Sequence, residues 1–205
     1  MRILLGTTNP SKAAYFADLL AGVDAELVTL DALGVCAEPD ECGRTPQENA
    51  IIKARCYGQY ADCVICADSG LYFDDLPMED PRQPGLHVRT PGGGPRLDDA
   101  QMIEHYSALA KSLGGRALAY YVDGCAVKRG DKVYGFQATR EEAMSWAFYL
   151  TDTPCAWRRE GWPLDSLSLD MEGRYFLDPS RPRFPQQKSG YRPRLRAFLL
   201  EALGV

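Results

Sequence analysis

The sequence is poor in the residues on which several common catalytic schemes depend. Only two of its 205 residues are histidines, His87 and His105, and no G-x-S-x-G nucleophile motif is present. No G-x-G-x-x-G motif follows a predicted strand. His105 lies in the middle of a predicted helix, where a structural or surface role is the ordinary expectation. A serine hydrolase and a dinucleotide-dependent dehydrogenase are therefore both poorly supported.

Long apolar segments and an excess of positive charge are also missing. No segment approaches the roughly 18 consecutive apolar residues that a membrane span requires, and the first residues carry too short an apolar run for a signal peptide. The formal net charge of −5 argues against a general nucleic-acid or membrane-surface binder, which needs a positive field. We expect a cytoplasmic protein with neither nucleic acid nor membrane as a partner.

The cysteines lack the arrangement of a disulfide scaffold. There are seven, irregularly spaced, which fits a reducing compartment. The C-x-x-C pair Cys63 and Cys66 lies in an apolar, β-prone run, where residues three apart point to opposite faces. No second pair accompanies it, so we expect buried free thiols rather than structural zinc.

The hydrophobic pattern predicts an α/β fold. Hydrophobic content is 45% and charged content 25%, and the length suits one domain or two closely packed lobes. Apolar or β-branched runs predict strands at 2–7, 25–30 and 63–67, and helical spacing predicts a helix from 11 to about 20. Strands and helices thus alternate at the front of the chain.

Local start and stop signals predict the remaining elements. Thr45 as N-cap, Pro46 in the first turn and Glu48 three residues after the cap predict a helix. The other elements predicted in this way are a helix over 98–115, a hairpin turn at 129–131 and a terminal amphipathic helix over 194–205.

A first polar cluster follows the first predicted strand. That strand ends at Thr7 and a helix begins near Ser11, so backbone N–H groups and the helix dipole favour an anion there. Lys12 adds a full positive charge. The Walker pattern is absent, because Asn9 and Pro10 stand where its glycine-rich arch would be. A plain strand–helix turn with an exposed lysine is the structural alternative.

A second cluster surrounds the predicted helix that starts at residue 45. Asp40 and Glu41 precede it, and Asn49 and Lys53 share one face of it at i, i+4. Glu48 is explained by the capping box and is assigned mainly to structure. By themselves, the two acidic residues are also compatible with a solvated loop.

A third cluster is the segment "ADSGL" at 67–71. Asp68 follows a buried strand and precedes Ser69 and Gly70, which predict a turn. A carboxylate at the end of a buried strand is costly unless it is paired, hydrogen-bonded or bound to metal, and an Asx-turn is the structural alternative. Two acidic clusters and two lysines indicate a Mg²⁺–phosphate site, because Mg²⁺ commonly takes one or two carboxylates plus substrate phosphates.

Taken in order, the three clusters resemble the inosine triphosphate pyrophosphatase family, whose members clear aberrant purine nucleoside triphosphates. The T-x-N-x-x-K block of the family corresponds to Thr7, Asn9 and Lys12. Its E-x-G-x-T-x-x-E-N-A-x-x-K-A block is matched at every fixed position by residues 41–54. Its A-D-D-S-G-L block is "CADSGL" here, with Ala67 in place of the first aspartate.

The C-terminal half departs from the family pattern. The P-G-x-x-S-A-R segment resembles "QPGLHVRT", which places Arg89 at the arginine. The F-G-[YW]-D segment that contacts the base resembles "GWPLDSL", which keeps Asp165 and offers Trp162 as the aromatic residue. The S-H-R triplet falls on "SGYRPR", with Tyr191 at the histidine and Arg192 at the arginine.

The resemblance implies a single domain over 1–205, with a phosphate- and metal-binding half at 1–95 and a hairpin and base-recognition half at 96–205. It also implies a mixed twisted β-sheet flanked by helices, in two lobes around a central nucleotide cleft, and a homodimer.

At the position of a later lysine of the family the chain has Gln186, with Lys188 close enough to substitute.

The reaction implied is Mg²⁺-dependent hydrolysis of a nucleoside triphosphate to a monophosphate and pyrophosphate, on non-standard purines such as ITP, dITP and XTP. Asp68 would orient or deprotonate the attacking water, and Lys53 would stabilise charge on the phosphates. Mg²⁺ would lie between Asp68 and Glu41, or Asp40. The residues expected to contact the substrate are Thr7, Thr8, Asn9, Lys12, Ser69, Arg89, Trp162, Asp165, Tyr191 and Arg192.

Two alternatives remain open at this stage. The altered C-terminal pocket is compatible with the same chemistry on another modified nucleotide. The loss of an aspartate at Ala67 is compatible with a nucleotide-binding module of weak or no catalysis.

Overall fold

The computed structural model describes residues 1–180 and 190–205, which divide into two compact units. Unit 1 comprises Met1–Ser69, Val122–Thr139 and Gly190–Val205. Unit 2 comprises the described residues of Gly70–Tyr121 and Arg140–Ser189.

Helices and strands alternate in the first part of the chain, as the sequence predicts. The strands are β1 (Arg2–Leu5), β2 (Glu26–Thr29), β3 (Cys63–Phe73), β4 (Arg116–Arg129), β5 (Lys132–Gln137), β6 (Phe148–Thr151) and β7 (Ser168–Leu169). The α-helices are α1 (Pro10–Leu19), α2 (Pro46–Tyr57), α3 (Asp99–Ser112), α4 (Arg140–Met144) and α5 (Tyr191–Leu203). Short 3₁₀ helices lie at Asp31–Leu33, Pro91–Gly93 and Pro163–Ser166.

The strands form a mixed, curled sheet flanked by helices, so the predicted fold class is confirmed. In unit 1, β1 pairs in parallel with β2 and with β3, and Leu4 lies opposite both Val28 and Val64. The second half of β4 pairs antiparallel with β5 through the predicted hairpin. In unit 2, the first half of β4 pairs antiparallel with β6, which pairs with β7.

Each unit has its own hydrophobic core. In unit 1, α2 packs Ala50, Ala54 and Tyr57 against the sheet, a spacing that gives one apolar stripe along the helix. In unit 2, Met102 and Tyr106 of α3 are buried in the same way. Burial of one large apolar side chain contributes about 1.5–3 kcal/mol, so these stripes fix both helices on the sheet.

The start signals predicted for α2 are present, except that the Glu48 side chain binds a different backbone N–H from the one expected in a capping box. The Thr45 hydroxyl oxygen accepts the backbone N–H of Glu48 at 3.1 Å. The carboxylate of Glu48 accepts the N–H of Arg44 at 2.6 Å, one residue before the cap. Thr45 therefore satisfies an N–H group that the first turn of the helix leaves without a partner, and Glu48 ties the residue before the cap to that turn.

The turn predicted at Ser69 and Gly70 is wrong, because β3 continues without interruption to Phe73. Gly70 instead lets the Tyr72 ring and the backbone of Gly85 pack close to β3, because it has no side chain. A Cβ at this position would lie 2.9 Å from the Tyr72 ring and 3.1 Å from the carbonyl oxygen of Gly85. A glycine inside a strand often marks such a close approach rather than a turn.

Cys63 and Cys66 are buried free thiols on β3, as predicted. Every helix within 1–180 and 190–205 is too short or too polar to cross a lipid bilayer.

Candidate functional site

Asp68 on β3 is the centre of a charged cluster in unit 1. Asn49 and Lys53 lie one turn apart on α2, on the shared face that the sequence predicts. The Asn49 side-chain amide donates to Asp68 Oδ2 at 2.9 Å, and Lys53 Nζ donates to Asp68 Oδ1 at 2.9 Å. Asp68 is buried, so these two donors offset much of the cost of removing a carboxylate from water.

Lys53 bridges Asp68 and a second carboxylate. Its Nζ also lies 2.8 Å from Glu41 Oε2. Burial alone would lower the pKa of Lys53, but the charges and hydrogen bonds of Asp68 and Glu41 outweigh it and raise that pKa. Asp40 is exposed and lies outside this chain of contacts.

Asn49 is a site residue whose contact with Asp68 the sequence did not predict. It is buried, and its Oδ1 accepts the backbone N–H of Gly43 at 2.8 Å. A Cβ at residue 43 would lie 2.6 Å from that oxygen, which explains the glycine. Asn49 therefore joins the loop that carries Glu41 to the carboxylate of Asp68. The sequence signal that could have revealed this role is the asparagine that the E-x-G-x-T-x-x-E-N-A-x-x-K-A block fixes at residue 49.

The turn between β1 and α1 uses its polar side chains for capping. Asn9 is the N-cap of α1, where its Oδ1 accepts the N–H of Ser11 at 2.9 Å. The Thr7 hydroxyl oxygen accepts the N–H of Asn9 at 3.1 Å, and Thr8 is exposed. Capping thus accounts for these two side-chain oxygens.

Lys12 in the first turn of α1 belongs electrostatically to the same site. Burial and the charge of Lys53 lower its pKa, while Asp68, Asp123 and Glu41 act in the opposite direction. Lys12 is therefore influenced electrostatically by one other lysine and three carboxylates of unit 1.

Asp123 on β4 is a second residue that the sequence did not reveal. The Ser69 hydroxyl donates to its Oδ1 at 2.8 Å, and the Tyr191 hydroxyl donates to its Oδ2 at 3.3 Å. Burial raises the pKa of Asp123, although the hydrogen bonds from Ser69 and Tyr191 and the charge of Lys12 oppose the shift. Ser69 and Tyr191, both predicted to touch substrate, meet at this carboxylate.

Arg192 begins α5 together with Tyr191 and packs on α1. It forms an ion pair with Asp18, and its guanidinium lies over the Tyr15 ring, 5.5 Å from the ring centroid. Tyr191 is buried. Both side chains predicted to read the base therefore have protein partners in unit 1.

The other residues predicted to contact substrate gather in unit 2. Arg89 Nη2 lies 2.9 Å from Asp99 Oδ1, and Asp99 Oδ2 accepts the N–H of Gly161 at 2.8 Å. Asp99 therefore links Arg89 to the segment that carries Trp162 and Asp165.

Arg159 connects two of these unit 2 residues to each other. Its guanidinium lies 5.2 Å from the Trp162 ring centroid, and its Nη1 lies 3.3 Å from Asp165 Oδ2. Gln186 and Lys188, proposed for the lysine position, lie outside the described residues.

The donor set around Lys53 fits a divalent cation of the Mg²⁺ type. The carboxylate oxygens of Glu41 and Asp68 converge on one positive charge, and Mg²⁺ commonly binds through one or two carboxylates with the remaining ligands from phosphate and water. Within the described part of the chain, no group of three His, Cys, Asp or Glu side chains is arranged to hold a metal ion. The protein could therefore offer two carboxylates, from Glu41 and Asp68, to such a cation.

Comparison with known proteins identifies the family. A family model described as the Ham1 family matches residues 3–141, well over half of the chain. The chain belongs to the Ham1 family. The family resemblance deduced from the three sequence blocks is confirmed.

The curated relatives of this Ham1 chain include several proteins named dITP/XTP pyrophosphatase. The one from Caldanaerobacter subterraneus subsp. tengcongensis is 32% identical over 138 residues, which cover 64% of this chain and 65% of that protein. The one from Symbiobacterium thermophilum is 34% identical over 129 residues, 62% of this chain and 60% of the relative. The matched segments span less than two thirds of these relatives.

Solved Ham1 structures match over almost the whole length. A HAM1 protein from Coxiella burnetii has a TM-score of 0.72 at 22% identity, covering 98% of this chain and 99% of that one. A protein from Mycobacterium abscessus described as a nucleoside-triphosphatase and dITP/XTP pyrophosphatase has a TM-score of 0.64 at 25% identity, covering 99% and 98%. The mixed sheet flanked by helices is thus the fold of these proteins.

Proposed function

We propose that this Ham1 protein hydrolyses the triphosphates of non-standard purine nucleosides, such as ITP, dITP and XTP, to monophosphate and pyrophosphate with Mg²⁺. The observation that carries the proposal is the bridge from Glu41 through Lys53 to Asp68, with Lys12 in the same field. The relatives named dITP/XTP pyrophosphatase support the substrate class.

The start of α1 is proposed to bind the phosphates. Helix N-termini attract anions through their free N–H groups and the helix dipole, and Lys12 adds a positive charge. Thr7, Thr8 and Asn9 form the turn over which a triphosphate would lie. Burial and the charge of Lys53 lower the pKa of Lys12. Both effects disfavour the ammonium, so a phosphate bound beside it would stabilise its charged form.

Glu41 and Asp68 are proposed to hold Mg²⁺. Glu41 is preferred to Asp40, because the Glu41 carboxylate forms an ion pair with Lys53, which is also paired with Asp68. Mg²⁺ bound there would supply positive charge against the phosphate oxygens and make an attacking water easier to deprotonate.

Asp68 is proposed as the base that orients the water and takes its proton. Its two oxygens are fixed by different donors, Asn49 on Oδ2 and Lys53 on Oδ1, which sets the plane of the carboxylate. Lys53 would stabilise the negative charge that develops on the phosphates, since phosphoryl-type transfer depends mainly on positioning and charge neutralisation. Ser69, the next residue on β3, would add a polar contact.

For base recognition, we propose Arg89, Trp162 and Asp165 as the candidate residues in unit 2. Tyr191 and Arg192 are separate candidates in unit 1. A buried hydrogen-bonding pocket discriminates strongly, because a mismatched base leaves polar groups without partners.

A second candidate keeps the chemistry but changes the base. Tyr191 and Arg192 already contact Asp123 and Asp18, which favours a base pocket rebuilt for another modified nucleotide.

A nucleotide panel with Mg²⁺ tests both candidates. It contains ITP, dITP, XTP, the common NTPs and dNTPs, and modified pyrimidine triphosphates, with products separated by chromatography. We expect monophosphate and pyrophosphate from ITP, dITP or XTP. The same products from another base alone would favour the second candidate, and binding without turnover would mean a nucleotide-binding module.

A cytoplasmic homodimer is proposed for the assembled protein, as a consequence of family membership. The free cysteines support a reducing compartment. Light scattering at micromolar concentration tests the dimer, and a monomer mass would contradict it.

A further inference from the structure

The segment that leads to Trp162 in unit 2 is built on a tight turn. The backbone N–H of Trp162 donates to the carbonyl oxygen of Arg159 at 3.0 Å, which closes the turn over residues 159–162. Gly161, its third residue, has a φ of +75°. A positive φ at this place is typical of a type II turn, and glycine adopts it without strain. The sequence R-E-G-W therefore fixes the spacing of Arg159 and Trp162.

The turn is held from both sides of Gly161 by a pair of charged residues. Asp99 Oδ2 accepts the N–H of Gly161 at 2.8 Å, and Arg89 Nη2 donates to the carbonyl oxygen of Gly161 at 3.3 Å. Arg89 and Asp99 are themselves paired at 2.9 Å. These contacts restrain the backbone of the turn and so limit the positions open to the side chains at its ends.

Three side chains at intervals of three residues meet beside this turn. The backbone N–H of Asp165 donates to the carbonyl oxygen of Trp162 at 3.2 Å, and successive tight turns of this kind bring residues three apart to one side. The Arg159 guanidinium lies over the Trp162 ring, 5.2 Å from the ring centroid, and Arg159 Nη1 donates to Asp165 Oδ2 at 3.3 Å. The attraction between a cation and a tryptophan face orients both groups.

The preceding arginine is used differently. Arg158 Nη1 donates to the carbonyl oxygens of Cys155 and Trp157, so this side chain folds back on its own segment. The side chain of Arg159 is 54% exposed, and its pair with Asp165 uses one nitrogen of a group that carries five N–H donors. Arg159 is therefore the arginine of the two that can offer donors to a ligand.

An arginine beside a carboxylate presents hydrogen-bond donors next to acceptors. A guanidinium can only donate hydrogen bonds, and an ionised carboxylate can only accept them. The bases of ITP and XTP carry an N–H at N1 beside a carbonyl oxygen at C6, which is a donor next to an acceptor. Adenine reverses this order, with an acceptor at N1 and an amino donor at C6.

We propose that Arg159 is a specificity-determining residue, whose guanidinium donates to the 6-keto oxygen of a purine while the Asp165 carboxylate accepts the N1–H. This inference rests on the proposed function, which assigns the base to Trp162 and Asp165. Adenine would place its amino group against the guanidinium and its N1 lone pair against the carboxylate, which leaves polar groups without partners. Arg159 lies two residues before the segment "GWPLDSL", so the family blocks did not assign it.

The preference for ITP over ATP in Arg159→Gln tests the proposal. Arg116→Gln is the matched control, because Arg116 is another unit 2 arginine over an aromatic ring, 4.3 Å from the Tyr149 centroid. We expect the ratio of kcat/KM for ITP to that for ATP to fall about 10-fold or more in Arg159→Gln, because KM for ITP rises. The ratio should stay within about twofold in Arg116→Gln. An unchanged ratio in Arg159→Gln, or an equal loss on both nucleotides, would overturn the proposal.

Binding of IMP and AMP, measured by calorimetry, tests the same preference without turnover. The wild type should bind IMP more tightly than AMP, and Arg159→Gln should bind the two alike. If the wild type selects IMP but hydrolyses no triphosphate, the proposed function fails and the binding ratio still decides the role of Arg159. Hydrolysis of ITP and ATP with equal efficiency would retain the chemistry and overturn the role of Arg159.

The melting temperature separates base reading from support of the turn. The pair of Arg159 with Asp165 borders on solvent, and such pairs contribute about 0–1 kcal/mol. Arg159→Gln should therefore melt within a few degrees of the wild type. A large decrease would show that the arginine holds the segment together and would overturn the proposal.

Discussion

The charged residues of unit 1 are held differently from those of unit 2. In unit 1 the side chains of Lys53 and Asp68 are 14% and 12% exposed, and three groups meet in one bridge. In unit 2 the pair Arg159–Asp165 is 54% and 19% exposed. The Lys53–Asp68 pair is therefore shielded from solvent, although Glu41 at the end of the bridge is 44% exposed, whereas Arg159 in the unit 2 pair borders on solvent.

We propose that this difference reflects a division of labour, in which the Glu41–Lys53–Asp68 bridge serves the chemistry and the unit 2 residues serve recognition of the base. Exposed ion pairs contribute about 0–1 kcal/mol and rearrange at little cost, which suits contacts to a variable base. Shielded charges interact more strongly and are costly to separate, which suits a site that must hold phosphate and metal in one geometry. Changes in the Glu41–Lys53–Asp68 bridge should therefore affect kcat, whereas changes in Arg89, Trp162 or Asp165 should affect KM and base preference.

The largest effect is expected from Asp68→Asn. The amide keeps the shape of the side chain but cannot accept a proton or supply charge to a cation. We expect kcat to fall about 10³-fold or more, with an unchanged near-UV circular dichroism spectrum. Asp62→Asn, an exposed carboxylate of the same unit, should stay within about twofold of the wild type. Turnover retained by Asp68→Asn would remove this residue from the chemistry.

Lys53→Met should reduce both turnover and stability. Loss of the bridge leaves two neighbouring carboxylates without their shared cation, so kcat should fall about 10²-fold and the free energy of unfolding by about 2 kcal/mol. The exposed Lys132→Met is the control, and urea denaturation without divalent metal is the measurement. A variant as stable as the wild type at neutral pH would show that the bridge does not contribute to folding.

The contribution of Lys53 to stability should also depend on pH in one direction. Its pKa is raised in the folded state above the ordinary value of 10.5. The stabilisation is therefore fully present below that value and is lost as the pH rises through the folded pKa. The stability difference between the wild type and Lys53→Met should therefore narrow as the pH rises through this alkaline range.

Asp165→Asn in unit 2 should have the smallest effect of the three substitutions. It weakens an exposed pair with Arg159, so the free energy of unfolding should change by less than about 1 kcal/mol. We expect KM for XTP to rise roughly fivefold and kcat to stay within about twofold of the wild type. This is the result for a contact that stabilises the bound substrate and the transition state equally. A large fall in kcat with unchanged KM would contradict the division between the two units.

The features that sequence reasoning predicted depend on residues close together along the chain. Thr45, Pro46 and Glu48 predict α2 because capping is a local interaction. Asn49 and Lys53 were placed on one face because helical spacing fixes it. The role of Asp68 in a charged cluster followed from the cost of burying a carboxylate.

The features that were missed depend on contacts between distant parts of the chain. Asp123 meets Ser69 and Tyr191, which are 54 and 68 residues away in sequence. No local pattern reports such contacts. The turn predicted at Ser69 failed for the same reason, because the glycine after it is required by packing within unit 2 and not by backbone direction.

Product stoichiometry during XTP and dITP turnover tests the central claim most directly. Monophosphate, pyrophosphate and orthophosphate are measured together by ion chromatography, with Mg²⁺ and with EDTA. The account predicts one monophosphate for each pyrophosphate, no orthophosphate, and no turnover in EDTA. Release of orthophosphate as the main product, or equal turnover in EDTA, would contradict it.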